Sequence, residues 1–207
     1  MNIILRLSFV VLAFGLVVGC ESPGRSLARS AVDQIKDGQT TKAEVDKIFG
    51  EPMQMTKSPE GDTLYLYQRF YGPDMYDSSG IAAPRRDESN LFLLSILMNP
   101  AGIVEKHLYS HTKPDIDQTL IKTGRKLGTE ELGRIVPLKT MRADLAKWFG
   151  MHWSEELTLS GECLVSWIYA DAYHLGARME VQVLDVLLDD AGKVLTFRVT
   201  KRDPWRN

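Results

Sequence analysis

Behind a nearly unbroken apolar run from Leu7 to Val18, the hydrophobic positions of this chain follow first a helical and then a strand period, and that succession occurs twice. Leu27, Ala31 and Ile35 recur at the spacing of one helix face, and Gly38 breaks the pattern. A second helix is predicted at once. Thr40 or Thr41 caps it, Thr41-x-x-Glu44 forms a capping box, Val45, Ile48 and Phe49 make the apolar stripe, and Gly50 with Pro52 stops it. Three strands follow, at Leu64 to Tyr71, Leu91 to Met98 and Ile103 to Ser110, the last two joined by a turn at Asn99-Pro-Ala-Gly102. The second pass predicts helices from Thr129 to Ile135 and Thr140 to Phe149, then strands from Glu162 to Ala170, Ala177 to Leu188 and Lys193 to Lys201.

The helical parts of the two passes align at an offset of 100, Ile35 to Gly50 against Ile135 to Gly150, and the hairpin turns align at an offset of 90. A longer connection between the first two strands of the first pass accounts for the change. The expected class is α+β, with two tandem helix-helix-strand-strand-strand units, each a helix pair packed on a three-stranded antiparallel sheet. The units span 27–112 and 129–203, with a linker over 113–128 that turns helical after Pro114 and a tail at 204–207. Leu138 stands where the first copy has Gly38, and His152 where it has Pro52, so a different helix junction and exit are expected in the second copy. The strand from Leu91 to Met98 is apolar on both faces, and its second face is expected to lie under the other copy or under a partner.

Residues 1–19 read as a signal peptide, with Arg6 the only charge and an apolar core too short for a membrane span of about 20 residues. The leader ends in Val17-Val18-Gly19-Cys20, which resembles the bacterial lipobox. That resemblance implies a diacylglyceryl group on the Cys20 thiol, an N-acyl chain of palmitate type on its amine, and membrane attachment. Residues 20–26 are a polar tether containing Pro23 and Gly24. In Gram-negative lipoproteins Asp after the lipidated cysteine favours inner-membrane retention, so Glu21 points to the outer membrane's periplasmic face. Loss of the leader changes 25 Lys+Arg against 27 Asp+Glu to 24 against 27, a net charge of −3, which gives no basic excess for nucleic acid. With Cys20 acylated, Cys163 is the remaining thiol and reads as a small apolar residue beside Leu164 and Trp167.

The pattern Ile35-x-x-Gly38-x-Thr40, Val45, Phe49-Gly50-x-Pro52, followed by an aromatic strand and a strand-Asn-x-x-Gly-strand hairpin, resembles the SmpA/OmlA, or BamE-like, domain of outer-membrane lipoproteins. The likeness covers Leu27 to about Thr112, with a degenerate second copy from Thr129 to about Asp203. Two such units in tandem are also similar in architecture to β-lactamase inhibitor proteins. The first resemblance implies a non-catalytic scaffold or accessory subunit in the cell envelope, with the β-barrel assembly machinery as first candidate partner. The second implies a membrane-tethered inhibitor or sensor of a periplasmic hydrolase. Neither implies a cofactor.

The candidate contact residues lie in the connections. The segment from Gly72 to Asn90 carries Met75, Tyr76, Arg85 and Arg86 after Tyr71, and these are residue types that anchor interfaces. The two arginines also suit lipid phosphates. The shorter aromatic connection of the second copy carries Tyr169 and Tyr173 and is either a second contact edge or a turn. His107 and His111 are four apart, a helical metal spacing placed in and after a strand, and His107 reads as a half-buried structural histidine. Glu155-Glu156 and Asp189-Asp190 read as solvated acids, since adjacent carboxylates do not converge on one atom.

Overall fold

The computed structural model describes residues 27–71, 90–113, 116–117, 122–173 and 178–202. The leader, Cys20, the tether and the segment carrying Met75, Tyr76, Arg85 and Arg86 lie outside the described residues. No described helix is long and apolar enough to cross a membrane.

The chain is mostly β, which overturns the expected helix pairs on three-stranded sheets. The first half contains α1 (Arg29–Val32), α2 (Lys42–Phe49), β1 (Gln54–Lys57), β2 (Thr63–Tyr71), β3 (Asn90–Met98) and β4 (Val104–Thr112). Its sheet is four-stranded and antiparallel, in the order β1-β2-β3-β4. After β5 (Ile116–Asp117) and β6 (Lys122–Thr123), the second half repeats the series as α3 (Thr129–Gly133), α4 (Arg142–Phe149), β7 (Ser154–Leu157), β8 (Cys163–Tyr173), β9 (Arg178–Leu188) and β10 (Val194–Arg202). Its sheet has six strands. β10, β9 and β8 are consecutive, and the far edge of β8 is shared by β7 and by β6, which pairs with β5.

Three physical causes separate this architecture from the expected one. The spacing of Leu27, Ala31 and Ile35 does not support a full helix: α1 is a single turn, and the chain then bends so that the Gly38 N–H donates to Val104 O at 2.7 Å. The buried residues there are Leu27, Val32 and Ile35 rather than one helical stripe. β1 reads Gln-Met-Thr-Lys and is exposed at three of its four positions, so it has no alternation for a sequence pattern to detect. The link after Pro114 is not helical at 116–117 or 122–123, which pair as antiparallel strands.

Each half packs one core between its sheet and its helical layer, from matched positions. Val45, Phe49, Tyr67, Leu94 and Val104 in the first correspond to Leu145, Phe149, Trp167, Leu184 and Val194 in the second. The anchoring bonds are also duplicated. Tyr67 Oη donates to Gly50 O at 3.3 Å, and Trp167 Nε1 to Gly150 O at 3.1 Å. Thr40 does not cap α2. Its Oγ1 accepts from Lys36 N at 2.8 Å across the helix connection, as Thr140 Oγ1 accepts from Val136 N at 2.8 Å. The cap is Thr41, whose N–H donates to Glu44 Oε2 at 2.8 Å in the capping box.

The expected difference at the helix junction does not occur. Leu138 takes φ +63° where Gly38 takes +76°, and its N–H donates to Val194 O at the same 2.7 Å. At the helix exits Gly50 and Gly150 have φ +75° and +77°, so the exchange of Pro52 for His152 leaves that bend unchanged.

The second face of β3 lies under the other half. Leu91, Leu93, Ser95 and Leu97 are buried although they point away from the helical layer, because β7 runs across β3 and β4. Thr112 Oγ1 donates to Trp153 O at 2.8 Å and Lys106 Nζ to Gly161 O at 2.7 Å across this junction. Each fully buried leucine there contributes about 1.5–3 kcal/mol, which favours holding the halves together.

Candidate functional site

Of the candidate contact residues, Tyr169 is corrected by the structure. It belongs to β8 rather than to a turn, is 3% exposed, and its hydroxyl donates to Asp171 Oδ2 at 3.0 Å. Its ring is unavailable to a partner. Tyr71 and Tyr173 end β2 and β8.

The junction between the halves forms a shallow, open groove of about 350 Å³ lined by Leu97, Glu105, Lys106, Gly161, Glu162 and Asp190 among others. Lys106, Glu162, Asp189 and Asp190 in its lining are committed to structure. Lys106 Nζ donates to Asp190 Oδ1 at 2.5 Å as well as to Gly161 O, Glu162 Oε2 accepts from Thr158 Oγ1 at 2.5 Å, and Asp189 Oδ1 accepts the Lys193 N–H of its own turn at 2.8 Å. Nothing in the groove places an acid and a base at one reacting atom, which is the geometry general acid–base chemistry requires.

The most connected polar cluster is one that sequence reading missed. Glu155 was expected to be solvated; it is 5% exposed on β7, its Oε1 accepting from Arg142 Nη2 of α4 and lying 2.7 Å from His152 Nε2. The His152 ring stands edge-on to Trp167, with centroids 6.1 Å apart. Burial, with the nearby Arg142 charge, lowers the His152 pKa to about 4. The Glu155 carboxylate pulls the other way, but Arg142 already offsets its charge. The imidazole is therefore held neutral, which suits a structural contact and not a proton shuttle near neutral pH. A signal was present: at the offset of 100, Lys42, Pro52 and Met55 become Arg142, His152 and Glu155, three changes that make sense together.

Glu156, its neighbour on the opposite face of β7, has its pKa raised by burial and by the Asp185 charge. Burial likewise raises the Cys163 thiol, which keeps it protonated and weakly nucleophilic. His107 and His111 both lie in β4. His107 Nδ1 is 2.7 Å from Asp37 Oδ1, and His111 Nε2 is 2.9 Å from Asn90 Oδ1 with its ring stacked on Phe92 at 4.3 Å. They are engaged separately, and no group of three metal-ligating side chains converges among the described residues.

Large apolar side chains do reach solvent. Met53 and Met151 follow the exits of α2 and α4, Met55 is on edge strand β1, Phe70 is on β2, and Val136, Leu138 and Met141 surround the connection between α3 and α4. These positions, rather than any cavity, are where the described surface departs from a solvated one. No family model, curated protein or solved structure matches the chain, so the likeness to BamE-like domains rests on its own residues.

Proposed function

We propose that this chain is a lipid-anchored protein of the cell envelope, attached through Cys20, that acts without catalysis as a scaffold or accessory subunit for other envelope proteins. The β-barrel assembly machinery is the first candidate partner, at the periplasmic face of the outer membrane.

One observation supports contact over chemistry: all but one of the exposed apolar residues described stand on helix exits, a helix connection and an edge strand, while the groove between the halves is shallow and its lysine, Lys106, is paired with Asp190. The lipobox at Val17 to Cys20 supports the tether. Confinement at a membrane raises the effective concentration of partners there, so modest contacts suffice. The rival reading, a tethered inhibitor of a periplasmic hydrolase, calls for aromatic side chains spread over an open sheet face. Phe70 is the one large aromatic among the exposed apolar residues described, and the outward face of β3 is covered by β7.

The test is affinity capture of the tagged, lipidated protein from gently solubilised envelopes, with mass spectrometry of co-purifying proteins and a Cys20→Ala control. Barrel-assembly subunits recovered with the wild type and depleted in the control support the proposal. A single soluble hydrolase recovered in both refutes it in favour of the inhibitor.

A further inference from the structure

The connection between α3 and α4 departs in one respect from its twin in the first half. The backbone is the same, yet Lys36, Asp37, Gly38 and Thr41 have become Val136, Pro137, Leu138 and Met141. Leu138 holds φ +63°, a conformation that favours glycine, while its side chain is 63% exposed. A leucine that accepts a disfavoured backbone and stays in solvent is a local outlier, and such outliers cluster at functional surfaces.

The turn is also chemically prepared to leave water. The Leu138, Lys139 and Thr140 N–H groups donate to Val194 O, Val136 O and Val136 O, those of Val136 and Met141 to Thr140 Oγ1 and Asp144 Oδ2, and that of Arg142 to Gly192 O. Every one of these donors is therefore satisfied within the protein, which removes the N–H part of the penalty for placing backbone in an apolar or interfacial medium.

Charge selects the medium. From Arg134 to Arg142 the chain carries Arg134, Lys139 and Arg142 and no acid, whereas the twin segment includes Asp37. Arg134 is paired with Glu130 and Arg142 with Glu155, while Lys139 is exposed at the tip with no ion-pair partner among the described residues. An apolar tip that carries this exposed lysine, with the two arginines at its base, complements a surface of acyl chains beneath anionic headgroups. We propose that the turn from Val136 to Met141 seats on the surface of an anionic lipid bilayer and orients the body of the protein on the membrane that holds it. This rests on the lipid tether of the proposed function, because one small apolar tip orients a protein already at the surface but does not recruit it. Met53, Met55 and Met151 then remain for protein partners.

The full lipidated chain is reconstituted in vesicles of phosphatidylethanolamine and phosphatidylglycerol, part of the latter carrying a diazirine on its acyl chain. After flotation and irradiation, lipid adducts are mapped by mass spectrometry. The expected result is at least about threefold more adduct on 136–141 than on the twin turn at 36–41. The excess should vanish in a variant carrying the first-half residues, Val136→Lys, Pro137→Asp, Leu138→Gly and Met141→Thr, with the melting temperature retained. Leu138→Asn, which tolerates the same backbone, provides a second variant that should reduce the excess. Flotation that depends on Cys20 with equal adducts on the two turns, or none on 136–141, overturns the inference and leaves the tether standing. That outcome assigns the turn to a protein contact. Failure to float overturns the tether and this inference with it.

Discussion

Leu138 offers a measurement of backbone strain with its own control in the same chain. Substitution to alanine and to glycine both remove the leucine side chain, so the difference between those two variants isolates the backbone. In the left-handed region a Cβ costs about 1–2 kcal/mol. Glycine costs about 0.5–1 kcal/mol more than alanine through the unfolded chain's freedom. Leu138→Gly should therefore be more stable than Leu138→Ala by about 0.5–1 kcal/mol, the reverse of the order at an ordinary exposed position. Gly38 predicts the same magnitude with opposite sign. A Cβ built there meets nothing within 4 Å, so Gly38→Ala should lose about 0.5–1 kcal/mol, the torsional cost less the gain from a stiffer unfolded chain, with no steric part. Urea unfolding followed by far-ultraviolet circular dichroism gives all three values, and a 1 kcal/mol difference corresponds to a shift of about 2–4 °C in Tm for a chain of this size. Leu138→Ala matching or exceeding Leu138→Gly would refute the assignment of strain to this residue.

The Arg142–Glu155 pair should respond asymmetrically. Arg142→Gln leaves a buried carboxylate with only the neutral His152 ring beside it and is expected to cost about 3 kcal/mol, whereas Glu155→Gln leaves a half-exposed guanidinium that water can reach and should cost about 1 kcal/mol; denaturant midpoints compare them. His152 has a folded pKa of about 4 against an ordinary 6.5, so its contribution is fully present above pH 6.5 and is lost as pH falls from 6.5 toward 4. The loss is at most about 3 kcal/mol, since Glu155 opposes the shift, and unfolding curves at pH 7, 5.5 and 4.5 should show that slope in the wild type and its absence in His152→Gln. Thr140→Val removes the buried acceptor of the Val136 N–H and should cost about 1–2 kcal/mol in thermal unfolding, with Thr40→Val costing the same; unequal losses would show that the two connections are not equivalent.

The sequence by itself determined the duplication and the strands that carry it. The shared motif from Ile35 to Gly50 and from Ile135 to Gly150, the apolar or alternating runs of β2–β4 and β8–β10, and the turns at Asn99 and Asp189 are local, and a short sequence window sees them. The resemblance of Val17 to Cys20 to a lipobox is legible for the same reason, being a contiguous string. Tertiary structure decided what periodicity cannot encode. β1 exists because β2 offers an edge to a polar tetrapeptide, and α1 stops after one turn because Gly38 must reach Val104. Leu138 adopts a glycine's backbone because Val194 O requires its N–H in the place where Val104 O requires that of Gly38. Glu155, read as a solvated acid, is buried because it shares the face of Val165 that packs under its own half's helical layer, where Arg142 of α4 lies close enough to hold its charge. Tyr169, read as a contact residue, is buried because β8 pairs with β9 on one side and with β6 on the other at this end, and its hydroxyl is taken up by Asp171. In each case a partner far along the chain supplied a hydrogen bond, a charge or a covering surface, and its free energy outweighed the local preference of the residues it met.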